Sequence, residues 1–401
     1  MTTDAVAYND SEGRSFFLRV PNLRRVTSSG RFIPEIDGLR FVAILSVYVY
    51  HLNGYLLEKG ASFPVGSTTT RFVTLLSHGN NGVQLFFVIS GFILGLPFAS
   101  HFLSGERRVS LRAYFFRRLT RLEPPYMLSM VLVFTLLILY VGQSAQVLLP
   151  HLVASLLYVH NLVYASGSSI NAVAWSLEVE IQFYVLVPLL AALFAIRNAR
   201  WRRIAIIGLI LLAIVLRATL VSQATPRLDR SIVGQLQYFL VGFLLADVYV
   251  CRNWSASSVH PTWDCVSLVG WPALFILWTQ PTINVWVFPA FAFLLCCAAL
   301  RGPWSRRLFS NTWIATIGGM CYTIYLFHYQ LISFVGSRAL QVRLANSYAW
   351  AYLSVFFFVT PVVLIACTAF FVLVEKPCMQ PDWPRRFIRR LQLPPRTRPA
   401  L

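Results

Sequence analysis

Long apolar stretches separated by short polar segments run along most of the chain. A membrane-spanning α-helix needs about 20 consecutive apolar residues, in a range of roughly 17 to 25, and most of the stretches have such a length. The pattern therefore predicts an all-α integral membrane protein. We recognise eleven stretches, at residues 38–57, 83–99, 126–142, 147–163, 174–196, 204–222, 232–250, 264–279, 284–300, 312–335 and 350–374.

The positions of the basic residues predict which segments share a side of the membrane. Lys and Arg collect in the cytoplasmic loops of membrane proteins. If the N-terminus is cytoplasmic, the arginine-rich segments all fall on that side only when 147–163 does not fully cross. We therefore predict about ten transmembrane helices, one re-entrant or interfacial segment, and both termini in the cytoplasm. The arginine-rich segments are 107–121, 197–203, 301–307 and 385–398.

The same pattern divides the chain into three parts. We predict a polar cytoplasmic N-terminal tail at residues 1–33, a membrane domain at 34–377 and a basic cytoplasmic C-terminal tail at 378–401. The N-terminal residues lack an early apolar stretch, so we expect no cleavable signal peptide.

Composition and charge exclude several classes of protein. Hydrophobic residues make up 57% of the chain and charged residues 12%, whereas soluble domains carry about 25% charged residues. The net charge of +19 would suit nucleic acid, but the basic residues are topology signals between apolar stretches, so no nucleic-acid partner is expected. The seven cysteines lack metal-ligand spacing, and we predict no metal site.

Arg40 and His51 are eleven residues apart on the first predicted helix. Eleven residues turn an α-helix by about 1100°, within 20° of whole turns, so both side chains face the same way about 16 Å apart. A cation at the cytoplasmic mouth and an imidazole deeper in the membrane suit a long ligand with an anionic head. Asp37, three residues before Arg40, can pair with it. The alternative is a boundary anchor and a packing histidine.

Two carboxylates lie within the segment Trp175–Tyr184, where ionisable groups are costly and usually functional. Glu178 and Glu180 are 200° apart on a helix, so they face opposite sides. Either one could orient an imidazole from a neighbouring helix, as the acid does in a catalytic triad. The alternative is a structural hydrogen bond between helices.

Three further features carry possible chemistry. Arg117, Arg118 and Arg121 cluster on one side of a helix, which suits phosphate binding as well as cytoplasmic anchoring. His328 lies well inside the tenth span, where it is catalytic, substrate-binding or simply buried. Ser90 precedes a glycine within an apolar stretch, which favours close helix packing over a nucleophile.

Together these segments resemble the membrane acyltransferase family 3, which includes bacterial O-antigen and macrolide acyltransferases. The resemblance covers residues 35–377, nearly the whole chain. The chain departs from the family pattern at Gln84, Glu178, Ile181 and Gln330. The matching blocks are Glu35-Ile-Asp37-Gly38-Leu-Arg40 with His51 after ten residues, Gly82–Phe92, Arg117-Arg118-Leu-Thr-Arg121-Leu-Glu-Pro124, Trp175–Tyr184, Tyr325-Leu-Phe-His328 and Val374-Glu-Lys-Pro377.

The resemblance implies a bacterial inner-membrane O-acyltransferase that moves an acyl group, typically acetyl, from acyl-CoA to a hydroxyl group. The acceptor would be a glycan, a lipid-linked sugar or a small molecule, and acyl-CoA a co-substrate rather than a tightly bound cofactor. His51 would be the general base, with Glu180 orienting it. The CoA-binding candidates are Arg40, Asp37, Arg117, Arg118 and Arg121, and the acceptor-site candidates are Glu178, His328, Tyr325 and Ser90.

Two other classes of function stay open. A transporter or flippase also uses buried histidines and carboxylates as proton relays, although we find no inverted repeat. A structural or receptor-like membrane protein would carry the same groups as satisfied buried contacts. Consumption of acyl-CoA distinguishes the enzyme from both.

Overall fold

The computed structural model describes residues 32–59, 67–164, 166–221, 226–254, 259–340, 348–380 and 382–384. These residues form helices and connecting turns, and no β-strand occurs among them. The predicted terminal tails lie mostly outside the described residues.

The α-helices of the described ranges are numbered in chain order. Three short 3₁₀ turns, at Gly79–Asn81, Ala172–Ala174 and Ala191–Ala195, and two π-helical turns, at Arg217–Val221 and Phe371–Glu375, extend or join them. The α-helices are α1 (Pro34–Glu58), α2 (Ser67–Ser77), α3 (Gly82–Ser104), α4 (Leu111–Val141), α5 (Ala145–Leu156), α6 (His160–Val163), α7 (Trp175–Leu190), α8 (Ala199–Leu216), α9 (Pro226–Asp229), α10 (Ile232–Cys251), α11 (Thr262–Leu277), α12 (Pro281–Arg301), α13 (Pro303–Phe309), α14 (Thr312–Gly319), α15 (Cys321–Ala339), α16 (Tyr348–Phe370) and α17 (Lys376–Cys378).

Eight helical segments of the described chain are long and apolar enough to cross a membrane, which confirms an all-α, multi-pass membrane protein. Their mean hydropathy lies between 1.2 and 2.8. The predicted total of ten spans and the cytoplasmic termini stay predictions. The eight segments are Pro34–Glu58, Thr70–Ser104, Leu111–Val141, Ala172–Ala195, Ala199–Val221, Arg227–Cys251, Ile283–Arg301 and Tyr348–Cys378.

The stretch 147–163 folds into the short helices α5 and α6 rather than one long helix. The 12 residues of α5 extend about 18 Å at 1.5 Å per residue. The hydrocarbon core of a bilayer is about 30 Å thick. Helix α5 is therefore too short to cross the bilayer, as expected for a re-entrant or interfacial segment.

Two segments differ from the sequence-based prediction. The stretch 312–335, predicted as one span, is divided at Met320 into α14 and α15. Glycine weakens a helix, and a Cβ atom on Gly318 would lie 1.8 Å from the carbonyl oxygen of Asp37, so α14 ends where its backbone packs against α1. The segment between the first and second apolar stretches also contains a helix, α2, which is missing from the predicted stretches because its serines and threonines make it too polar on average.

Helices α3 and α10 pack with their backbones in contact. A Cβ atom on Gly91 would lie 2.1 Å from the carbonyl oxygen of Phe239, and one on Gly242 would lie 2.2 Å from that of Val88. Small residues allow this close approach between membrane helices. The packing role predicted for the Ser90–Gly91 pair is therefore carried by Gly91.

Replacement of Gly91 by alanine should destabilise the protein by about 1–3 kcal/mol, because the extra methyl group forces the helix backbones apart. Gly208→Ala is the matched control. Its added Cβ atom would meet nothing within 4 Å, and alanine favours a helix over glycine by about 1 kcal/mol. Thermal melting in detergent micelles should show a lower Tm for the first variant alone, and equal Tm values would contradict the packing argument.

Ion pairs account for Asp247 and Arg217, two ionisable residues within the predicted apolar stretches. Asp247 bonds the guanidinium groups of Arg202 and Arg203, with 2.6 Å to the Nε atom of Arg203, and joins α8 to α10. Arg217 lies 2.9 Å from Asp229. These contacts are structural.

Candidate active site

One cavity collects most of the predicted site residues. Helices α1, α3, α4, α7, α14 and α15 line it together with the π-helical turn Phe371–Glu375. Its empty volume, counted with its open part, is about 850 Å³. The polar and charged side chains in its lining are Arg40, Ser90, Arg118, Arg121, Ser176, Glu180, Tyr184, Tyr322, Tyr325 and Glu375.

Arg40 enters the cavity from the second turn of α1. Its Nη1 atom lies 2.6 Å from the Oδ1 atom of Asp37, one helical turn earlier, and this contact confirms the predicted pair. The carboxylate of Asp37 is almost fully buried, whereas the Arg40 side chain is 15% exposed. Asp37 is not part of the cavity lining, so it positions the guanidinium group from behind.

Arg118 and Arg121 reach the cavity from α4. Neither forms an ion pair or a hydrogen bond with any residue that the structure describes, and the Nε atom of Arg121 is buried without a partner. The guanidinium carbon of Arg118 lies 6.0 Å from the ring centre of Tyr114 and 5.9 Å from that of Tyr184. Aromatic faces attract a cation but leave its hydrogen-bond donors unused. Both guanidinium groups are therefore available to an anion.

Arg117 does not share this position. Its side chain is exposed and is not part of the cavity lining. The sequence placed it with Arg118 and Arg121 on one side of a helix. The structure corrects this prediction. Only Arg118 and Arg121, which are three residues apart, point into the cavity, because the three arginines together span a wider part of the α4 surface than the cavity does.

Glu180 and Glu178 face opposite sides of α7, as the spacing predicts. The Glu180 carboxylate lines the cavity and accepts a hydrogen bond from the Ser90 hydroxyl of α3. It is therefore bonded to Ser90 and not to His51, which corrects the predicted orienting role of Glu180. The buried Glu178 carboxylate accepts a 2.8 Å hydrogen bond from the backbone N–H of Asn161, a structural contact of the kind given above as the alternative.

The histidine that Glu180 was predicted to orient pairs with another histidine. The Nδ1 atom of His51 lies 2.9 Å from the Nε2 atom of His328 on α15, and 3.0 Å from the carbonyl oxygen of Val47. His328 is fully buried. The sequence analysis named both residues as site candidates in different roles, and the structure brings them together.

Tyr325 separates this histidine pair from the cavity. It lines the cavity, its ring centre lies 5.9 Å from that of His328, and its hydroxyl donates to the carbonyl oxygen of Val173 at 2.9 Å. Its hydroxyl also lies 2.7 Å from the Ser176 hydroxyl. His51 itself is not in the lining. The expectation that Arg40 and His51 face one cavity is thus met by Arg40 alone, with the histidine pair one residue layer away.

Glu375 is a site residue that the sequence analysis did not assign. Its almost fully buried carboxylate lines the cavity and accepts a hydrogen bond from the Thr323 hydroxyl. The sequence does contain a signal for it, since Glu375 is an acidic residue at the end of the last apolar stretch, inside the family block Val374-Glu-Lys-Pro377. An acidic residue at the end of an apolar stretch is common in membrane proteins, and only the fold shows that this one points into the cavity.

Comparison with known proteins matches most of the chain to a family of acyltransferases. A family model described as an acyltransferase domain matches residues 33–372. The O-acetyltransferase OatA of Staphylococcus aureus strain NCTC 8325 / PS 47 is 27% identical over 341 residues, which cover 78% of this chain and 53% of that protein. OatA of strain COL matches with the same values. No solved structure matches the chain.

The chain therefore belongs to the membrane acyltransferase family 3, because the family model covers most of its length. It spans about half the length of the curated relatives that it matches.

Proposed function

We propose that this protein is a membrane O-acyltransferase that moves an acyl group, most simply acetyl, from acyl-CoA to a hydroxyl group of a glycan, a lipid-linked sugar or a small molecule. The observation that carries the proposal is the pair Arg118 and Arg121, which face a cavity without an ion-pair partner in the described chain. The guanidinium donors of this pair are unused within the described chain and can bind an anionic ligand, in a lining that they share with the carboxylates of Glu180 and Glu375.

The phosphates of CoA are suitable anions for this cavity. A guanidinium group binds phosphate oxygens through two parallel hydrogen bonds, which are stronger than bonds between neutral groups. Arg40, held by Asp37, and the two arginines of α4 would bind the phosphate groups. His51 lies about 16 Å further along the same helix and outside the cavity lining, so the pantetheine arm would have to extend along α1 past Tyr325 to reach it.

His51 would act as the general base. Its ring takes the proton of the acceptor hydroxyl while the oxygen attacks the thioester carbonyl carbon. The tetrahedral intermediate then breaks its carbon–sulfur bond, and the CoA sulfur leaves with the proton from His51. A covalent alternative, in which His51 is acylated first and then gives the acyl group to the acceptor, uses the same residues.

The acceptor is expected beside His51. Of the four residues assigned to it from the sequence, Ser90 and Tyr325 line the donor cavity, His328 bonds His51, and Glu178 bonds a backbone N–H group. The relative OatA is named an O-acetyltransferase, which supports a hydroxyl acceptor and an acetyl group.

Radiolabelled acetyl-CoA supplied to the protein in lipid nanodiscs tests the proposal. We expect release of the CoA thiol together with label on a hydroxyl-bearing acceptor, from a panel of glycans and small metabolites extracted from the source cells. Empty nanodiscs give the background rate. Uptake of a hydroxyl compound into vesicles with no CoA release would instead establish the transporter alternative. No release with any acceptor would refute acyl-CoA as the donor.

A further inference from the structure

The hydrogen bonds around His328 fix which of its ring nitrogens carries the proton. The Nδ1 atom of His328 lies 2.9 Å from the carbonyl oxygens of both Ile324 and Tyr325. Carbonyl oxygens only accept hydrogen bonds, so this nitrogen is the N–H donor. In a neutral imidazole the other nitrogen, Nε2, then carries the lone pair and accepts.

The hydrogen-bond partners of His51 fix its protonation in the same way. Its Nδ1 atom faces two acceptors, the Nε2 atom of His328 at 2.9 Å and the carbonyl oxygen of Val47 at 3.0 Å. Both contacts require Nδ1 of His51 to carry a proton. The lone pair of neutral His51 therefore lies on Nε2. Within the described chain, that atom has no hydrogen-bond partner, and it is not among the polar atoms sealed away from solvent.

We propose that His328 is the positioning residue of the acyltransferase site, which holds His51 in the tautomer whose Nε2 atom is the base. The proposal rests on the general-base role given to His51 above. His328 takes the place that the sequence analysis gave to Glu180. His328 is itself held in place by its own helix, because its Nδ1–H group donates to backbone carbonyl oxygens of α15.

The protons of the reaction balance with His328 neutral throughout. When Nε2 of His51 takes the hydroxyl proton, the ring becomes an imidazolium with N–H groups on both nitrogens. The Nδ1–H group continues to donate to His328, whose lone pair stabilises the new charge without taking the proton. Nε2 then returns its proton to the departing CoA sulfur, and both rings end as they began. A tautomer with the proton on Nε2 could not start this cycle, since that nitrogen would have no lone pair.

Two substitutions of His328 separate positioning from packing. In His328→Gln the side-chain carbonyl can still accept the hydrogen bond of His51, whereas in His328→Leu nothing can. We expect kcat to fall about 100-fold in His328→Leu and less than about 10-fold in His328→Gln, with an unchanged KM for acetyl-CoA in both variants. The control is His101→Leu, since His101 bonds the Glu106 carbonyl oxygen at the surface.

The tautomer itself is measurable without turnover. In protein with ¹⁵N-labelled histidine, the His51 resonances, identified by their loss in His51→Ala, should show a protonated Nδ1 and an unprotonated Nε2. The population of this tautomer should fall in His328→Leu. A protonated Nε2 in the wild type, or equal losses of kcat in the glutamine and leucine variants, would overturn the proposal. Inactive wild-type protein with the expected tautomer would refute the proposed donor or acceptor instead.

Discussion

Replacement of His51 by alanine should lower kcat for acyl transfer by about 10³-fold and leave the Kd for CoA within about twofold of wild type. Removal of a general base typically costs 10²- to 10⁴-fold in rate. CoA affinity should persist because His51 is not part of the lining that holds the arginines. The two quantities are measured by CoA thiol release and by calorimetric titration of CoA into protein in nanodiscs.

A surface histidine provides the control for this experiment. His260 is exposed and its ring bonds the Thr262 hydroxyl at 2.8 Å, so His260→Ala should keep both kcat and Kd. A His51→Ala protein that turns over at the wild-type rate would exclude the general-base role. A Kd that weakens as much as kcat falls would show that His51 binds the donor.

Direct and covalent transfer predict different behaviour of the wild type in this assay. If His51 is acylated, mixing with acetyl-CoA in the absence of acceptor should release about one CoA per protein and leave label on the protein. If transfer is direct, neither is expected. Both schemes use the same residues, so the release of CoA in the absence of acceptor is the result that distinguishes them.

Replacement of Arg121 by glutamine should raise the Kd for CoA by about 10- to 100-fold, with a smaller effect on kcat at saturating donor. A hydrogen bond to a charged group contributes about 1.5–3 kcal/mol, and each 1.4 kcal/mol is a factor of ten in Kd. The buried Nε atom of Arg121 has no competing partner in the described chain. Loss of its hydrogen-bond donors should therefore weaken the bound ligand.

Arg112 on the same helix supplies the matched control. Its side chain is exposed and outside the cavity lining, so Arg112→Gln should bind CoA as the wild type does. Titration of CoA and of pantetheine adds a second comparison. Pantetheine lacks the phosphates, and its affinity should be the same in the Arg121→Gln and wild-type proteins. Equal CoA affinity for Arg121→Gln and Arg112→Gln would refute the phosphate-binding role.

The sequence predicted those parts of the site that depend on one helix. The angle between residues on a helix gave the Asp37–Arg40 pair and the opposite directions of Glu178 and Glu180, and the structure has both. The lengths of the apolar stretches predicted the all-α membrane fold. These features need no knowledge of which helices are neighbours.

The contacts between helices could not be predicted in this way. His51 and His328 are 277 residues apart, and Ser90 and Glu180 are 90 apart. Nothing in their local patterns says which imidazole or hydroxyl lies opposite which partner. The family blocks contain all four of these residues, but only the packing of α1 on α15 and of α3 on α7 decides the pairs.

The π-helical turn Phe371–Glu375 sets the direction in which its final carboxylate points. Such a turn holds one residue more than an α-helical turn, and π-turns are frequent at functional sites. Each residue of an α-helix advances the rotation by about 100°. If the same five residues continued as a regular α-helix, they would wind further around the helix axis and Glu375 would point away from the cavity. The wider π-helical turn therefore acts as a register for the final acidic group.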